Sequence, residues 1–559
     1  MKIKLFFIYL LACATTLCAQ ETWNSPLDFP LFLAGNCGEL RPNHFHGGID
    51  MKTQGVEGKA VHAPKAGFVS RVSVSAWGYG NALYLTHADG TTTVYGHLQR
   101  FAPRIARIVR EAQQARESFA LDLTFTSDSL SFEAGELIAY SGNTGSSGGP
   151  HVHFEIRDTE TEELIDPLPY YKHLIPDTRA PKLLSLMAIP VEGEGVVNGK
   201  STKQTWNVSN DAQGRPALHA RIQAWGRIGL AIRANDYMDG TSNIYGVKEI
   251  LLENEKGEKL FHSYIDRFSF DENRYINAWT DYETYTHQRQ FYAKCFIEPG
   301  NRLHFLKGKN RGYLDIYEEH PYMLTLTLRD AYGNQTQMYL CIEGKKQDIP
   351  PLSTEGTELF HWNSLNLFGA RGIRLRIPRG NLYHDIHFRY AFREEEGRIA
   401  PIHILHNKPV PLHQQGYLSL RLQQDSLENK AQYGIVIWKG TRRSWIGGRY
   451  RNGWIDGRIR ELGTYTLAID SVAPRITPLR SSEWIQRKRF NFRLTDNLSG
   501  VKSYKGTIDG RFVLFEMDKH STISCRIEKE NITRGKHELK IIATDACGNI
   551  STYKHSFIW

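Results

Sequence analysis

Short apolar runs separated by glycine and polar turns fill the first third of the chain. Gly67-Phe68-Val69-Ser70-Arg71-Val72 and Ala82-Leu83-Tyr84-Leu85-Thr86 are typical, and residues 25–175 read as an antiparallel β-domain. One stretch departs from this pattern. Ile105 to Phe119 places apolar residues at helical spacing among arginines and glutamates, which predicts a helix inserted between strands. Beyond Pro167 the pattern changes again, and Asp177-Thr178-Arg179-Ala180-Pro181 reads as a linker.

Three phrases then occur twice. Asp470-Ser471-Val472-Ala473-Pro474 repeats the linker, and Asp236 to Val247 resembles Asp496 to Val501, each ahead of a strand. Asp330-Ala331-Tyr332-Gly333-Asn334 matches Asp545-Ala546-Cys547-Gly548-Asn549, each after an alternating strand. Asp, Gly and Asn in this order are turn formers between strands. The repeats predict two immunoglobulin-like β-sandwiches, at 177–345 and 473–559, with a β-rich unit at 346–472 between them. The N-terminal unit takes 20–176, and the expected fold class is mainly β.

Composition narrows this picture. A chain of 559 residues exceeds a single core, and 41% hydrophobic with 23% charged residues excludes disorder. Lys2 and Lys4, the apolar Leu5 to Ala12 and then Leu17-Cys18-Ala19 read as an export signal over 1–19. Leu10-Leu11-Ala12-Cys13 also resembles a lipoprotein box, which would anchor the protein through Cys13. No later stretch reaches roughly 18 apolar residues, so no transmembrane segment is expected. The expected location is periplasm, cell envelope or extracellular space. Loss of the leader lowers the formal charge of +9 by its two lysines, a modest basic excess suited to anionic polymers. Five cysteines then remain without CxxC spacing, which excludes a thiolate zinc site and leaves Cys295–Cys341 and Cys525–Cys547 as disulfide candidates beside unbonded thiols.

Two motifs carry chemistry. In His46-Gly47-Gly48-Ile49-Asp50 the paired glycines oppose a helix, so a strand-turn must bring His46 and Asp50 together. In Gly148-Gly149-Pro150-His151-Val152-His153-Phe154-Glu155 strand alternation puts His151 and His153 on one face and Val152 and Phe154 on the other. Among 22 histidines an isolated HxxxD is weak, but two adjacent imidazoles are costly as core residues. His46, Asp50 and one histidine supply three nitrogen and oxygen donors, the set of a catalytic zinc site with one position open, although manganese and iron accept the same donors.

Tyr95-Gly96-His97-Leu98 and Ser141-Gly142-Asn143-Thr144-Gly145-Ser146 lie between these motifs. In that order, over roughly residues 28–160, the pattern resembles the lysostaphin-like (LytM-type) zinc metallopeptidases, which hydrolyse peptide stems and cross-bridges of peptidoglycan. The resemblance implies Zn2+ held by His46, Asp50 and His153. It implies His151 as general base, and His97 as the group that stabilises the tetrahedral intermediate or protonates the leaving amine. A secreted zinc metalloendopeptidase acting on peptidoglycan peptides, with no nucleic-acid partner, is the expectation. The alternative is a silent or gated member that binds or regulates other wall hydrolases, since some relatives have lost ligands. All five residues are present here, and the 105–119 insertion departs from compact members.

Secondary candidates are Glu155 as an acceptor orienting His153, and Arg41 as a contact for a substrate carboxylate. Trp438, Trp445 and Trp454, interleaved with Arg442, Arg443, Arg449 and Arg451, suit glycan contact by the C-terminal β-domains or ordinary sandwich packing.

Overall fold

The computed structural model describes residues 23–527 and 532–559. The leader at 1–19 and the alternative anchor Cys13 lie outside the described residues.

Seven strands form the main path of the ten-stranded N-terminal sheet: β1 (Leu33–Gly35), β2 (Ile49–Lys52), β3 (Gly67–Val74), β4 (Asn81–Thr86), β5 (Thr91–Leu98), β6 (Leu121–Thr124) and β7 (His151–Asp158). Their order is β1-β2-β7-β5-β4-β3-β6, all antiparallel. Alternation along β7 sends Val152, Phe154 and Ile156 into a core with Leu33, Ile49, Leu83 and Tyr95. The opposite face of β7 is left for His151, His153 and Glu155. Helix α1 (Pro103–Ala115) starts on a proline that fits a helical first turn and buries Ile105, Val109 and Gln113 at four-residue spacing. It begins two residues earlier than the apolar spacing suggests and stops before Phe119, because the chain turns after Arg116 to enter β6.

The remaining chain is β-structure too. Two long strands, Lys182–Val197 and Ile222–Asn235, pair with each other, and the hairpin Pro321–Arg329/Gln335–Gly344 joins the same sheet. Phe45 and Leu164 of the first domain enter its core, and Arg267–Phe268 adds to the first domain's sheet through Leu164–Ile165. Residues 357–469 form a five-stranded and a six-stranded sheet over Phe360, Leu418, Ile435 and Tyr465. The last domain packs two four-stranded sheets over Trp484, Phe490, Phe492 and Ile541. No disulfide joins the described cysteines, so Cys295–Cys341 and Cys525–Cys547 are not bonded pairs. Among the described residues no helix is long and apolar enough to cross a membrane.

The last domain returns to the first. Lys519 Nζ donates to Asn143 Oδ1 at 2.8 Å and to the Ser147 carbonyl, and Lys505 pairs with Glu117. A cavity of about 680 Å³ remains between them, lined by Val109, Gln113, Asn143, Arg489, Asp518 and Lys519.

Candidate metal centre

Phe45, buried in the second domain's core, anchors the segment that delivers His46. The two glycines that follow are there for space. A Cβ on Gly48 would lie 2.1 Å from the Phe154 carbonyl oxygen, and one on Gly47 would lie 2.9 Å from Glu155 Oε1. Glycine thus lets the chain press against β7, and β2 then sets Asp50 opposite His153. On the other side of β7, Gly96 of β5 faces His153.

The three residues expected as ligands converge. His46 Nε2 lies 2.9 Å from Asp50 Oδ1 and 3.0 Å from His153 Nδ1, and His153 Nδ1 lies 2.9 Å from Asp50 Oδ1. All three residues are buried. Their outer nitrogens are already committed. His46 Nδ1–H donates to the Asn36 carbonyl at 2.8 Å, and His153 Nε2–H donates to Glu155 Oε1 at 2.8 Å. Each ring therefore turns a lone pair inward, and the carboxylate adds a third. With both rings neutral, three acceptors face one point, an arrangement that a cation, whether proton or metal, resolves. Zinc ligands at tetrahedral angles stand roughly 3.3 Å apart, close to these separations. The residues fit the metal.

Charge is arranged to match. Burial disfavours a cation on His153, yet the carboxylates of Asp50 and Glu155 outweigh it and raise its pKa to about 9. Burial also opposes the Asp50 carboxylate, but the three surrounding histidines hold it well below the usual range. Glu155 is wholly buried; Arg157 and hydrogen bonds from His153 and Tyr79 overcome that cost and keep it ionised down to about 2. Arg157 grips it through Nε at 2.7 Å and Nη2 at 2.6 Å, and Tyr79 donates its hydroxyl at 2.6 Å.

His151 and His97 flank the centre. His151 Nδ1–H donates to the Gly149 carbonyl at 2.8 Å, which directs Nε2 to within 3.5 Å of Asp50 Oδ1. His97 Nδ1–H donates to the Thr144 carbonyl at 2.8 Å, and its ring lies 4.8 Å from that of His151. His97 also sits at φ 60°, a strained conformation for a non-glycine residue, held by its N–H on the Tyr79 carbonyl at 2.7 Å. Burial, followed by the neighbouring His153 and His151, lowers its pKa to about 3.

All five sequence candidates thus meet in one place, and Glu155 lies where an orienting acceptor would. Arg41 is engaged otherwise: its Nη2 donates to Asp50 Oδ2 at 2.8 Å and its Nε faces Glu39. Sequence reasoning missed Asn36, Tyr79, Thr144 and Arg157. Arg157 had a signal, its place two residues beyond Glu155 on the same strand face. Asn36 and Thr144 act through backbone carbonyls, which leave no trace in side-chain identity. Trp438, Trp445 and Trp454 are half-buried, with Arg398 over Trp438 and Arg374 over Trp454.

An antiparallel sheet carries this His/Asp/His cluster. Residues 44–117, which include His46, Asp50 and His97, match the family described as peptidase family M23, in keeping with the lysostaphin-like motifs above. Residues 357–470 match a Zu5-like domain. An uncharacterized metalloprotease of Haemophilus influenzae is 33% identical over 118 residues, 21% of this chain and 19% of that protein. The DD-carboxypeptidase/endopeptidase Mpg of Neisseria meningitidis serogroup B is 30% identical over 112 residues, 20% of each chain. The chain thus spans about a fifth of the length of these relatives. The catalytic domain of the antimicrobial peptidase lysostaphin from Staphylococcus simulans aligns at 23% identity, over 25% of this chain and 92% of that one, with a TM-score of 0.20.

Proposed function

We propose that this protein is an exported zinc metalloendopeptidase that cleaves peptide stems or cross-links of peptidoglycan. The observation that carries the reading is the convergence of His46 Nε2, Asp50 Oδ1 and His153 Nδ1 on one point, with their outer nitrogens spoken for. Zinc held by these residues supplies a Lewis acid for the scissile carbonyl and for the attacking water. His151, whose Nδ1 is committed to Gly149, presents Nε2 as the base that takes the water's proton. His97 presents an acceptor at Nε2 and becomes a donor there only after gaining a proton, so its help to the oxyanion or leaving amine follows proton transfer. Arg41 holds Asp50 from the second oxygen, which keeps Oδ1 turned inward.

The gated alternative is favoured by one observation, the Lys519 contact to Asn143 and Ser147 beside His151. One experiment separates the readings: metal content and muropeptide release by purified protein and its His153→Ala variant. The peptidase reading expects about one zinc per chain and cleavage by wild type alone. Zinc without cleavage supports the gated regulator, and absence of both bound metal and activity after zinc is added refutes the metal centre.

A further inference from the structure

The twice-used sequence phrases come together in space. Asp177 of the linker, Asp236 at the end of Ile222–Asn235 and Asp330 after Pro321–Arg329 place one carboxylate oxygen each within 4.8 Å of one another. All three are buried, Asp236 to 2% exposure and Asp177 to 8%. Asp177 Oδ2 and Asp236 Oδ1 are shielded from solvent and have no hydrogen-bond partner. None of the ion pairs among the described residues reaches the three. A nearby guanidinium, Arg179, spends Nη1 on the carbonyls of Met238 and Thr241. Three buried carboxylates with only Arg179 nearby repel one another and forgo their hydration, so burial pushes the Asp236 carboxyl up to about 8 and the cluster holds a proton unless a metal cation is shared.

Asp330 is set in place for such a role. Its Oδ1 accepts the N–H groups of Tyr332 and Asn334 at 2.8 and 2.9 Å, and its Oδ2 accepts Asn334 Nδ2 at 2.7 Å. Asn334 Nδ2 also reaches the Asp177 carbonyl at 3.2 Å, tying linker to loop. The same construction recurs in the last domain with Asp470, Asp496 and Asp545, where Asn549 Nδ2 reaches Asp545 Oδ2 at 2.7 Å and the Asp470 carbonyl at 3.0 Å.

We infer that Asp177, Asp236 and Asp330 form a calcium site that fastens the second domain to the first. The donor set is all oxygen, which selects a hard cation over zinc, and oxygens bound to one calcium at 2.3–2.6 Å lie up to about 5 Å apart, matching the observed spread. Magnesium demands a tighter octahedron than carboxylates from three separate segments readily make. The loops involved are the ones that dock. Tyr245 donates to the Leu33 carbonyl at 2.7 Å, Asn243 to that of Ala34 at 3.1 Å, and Gly246 exchanges two 2.8 Å hydrogen bonds with the Asn36 side chain. Asn36 is also the residue whose carbonyl orients His46. Calcium bound here therefore stiffens the ground on which the first domain's metal centre stands.

The test uses the full-length, zinc-loaded protein and calcium chloride, with isothermal titration for affinity and hydrogen–deuterium exchange for location. Wild type is expected to bind calcium with a dissociation constant of about 10⁻⁴ M or tighter, and calcium slows exchange across 236–246 and 330–334. Asp236→Asn abolishes that protection, while Asp239→Asn, an acidic neighbour outside the triplet, retains it. Melting temperatures give a second readout free of folding failure. Without calcium, Asp236→Asn melts at or above wild type because a carboxyl that is costly to bury is gone; with millimolar calcium the order reverses. No calcium-dependent protection in wild type, protection that persists in Asp236→Asn, or equal loss in Asp239→Asn would each overturn the site.

Discussion

Replacing Glu155 with glutamine tests how the metal centre is oriented. The carboxylate accepts from His153 Nε2 and the Tyr79 hydroxyl through Oε1, and from Arg157 through Oε2. An amide has one oxygen, and Arg157 can only donate, so that oxygen is drawn to the guanidinium. The NH2 group then faces His153 Nε2, which must become an acceptor. The tautomer flips and a proton moves to Nδ1, into the gap shared with His46 and Asp50. Loss of such an orienting partner typically costs 10–100-fold in metal affinity, about 1.4–2.7 kcal/mol. A separate penalty falls on folding, because Arg157 is 5% exposed and loses its charge partner; breaking a buried pair costs about 3–5 kcal/mol. Adding Arg157→Met should recover much of the folding loss and, with no guanidinium to draw the amide oxygen away from His153, part of the affinity as well. The assays are zinc competition against a chromophoric chelator and thermal unfolding of the metal-free protein. Zinc affinity within twofold of wild type in Glu155→Gln, or no recovery of affinity on adding Arg157→Met, would refute the tautomer argument.

Two further outcomes follow from the geometry. Glu298, buried in the second domain, is kept ionised down to about 2 because Lys294, and His384 of the third domain at 3.0 Å, outweigh burial. Its folded pKa is below the unfolded value, so its stabilisation is full above about pH 4.5 and drains away toward pH 2; acid titration followed by circular dichroism should show this, with a smaller acid-induced loss in Glu298→Gln. Gly48→Ala forces a Cβ against the Phe154 carbonyl and so pushes β2 off β7; we expect metal content well below one per chain and a lowered melting temperature, whereas an unaltered metal content would show that β2 tolerates the shift.

Much of the site was legible because strand alternation is strict. His151, His153 and Glu155 had to share a face once β7 was recognised, and the glycines beside His46 excluded a helix. What stayed hidden was carried by backbone or by distant chain. Asn36 and Thr144 serve through carbonyls, and Tyr79 reaches Glu155 across 76 residues. Arg41 offered a charge suited to a substrate carboxylate, and only the fold reveals that Asp50 takes it first. The helix at Pro103–Ala115 was visible from its apolar spacing, but its end was not, because Phe119 leads into the next strand and belongs to the same apolar run. The repeated Asp phrases were read as turns, which they are; that their carboxylates meet could not be seen without the sheets that carry them.

Lys519 lies 376 residues beyond the Asn143 it holds. A ribosome adding roughly 5–20 residues per second completes the His46, Asp50 and His153 cluster roughly 20–75 seconds before that lysine exists. The turn beside His151 is thus without its brace for the whole of that interval, and receives it only once residues of the last domain have been made. A truncation that removes Lys519 would leave a first domain that looks complete by its own residues yet is permanently in the state of a half-made chain.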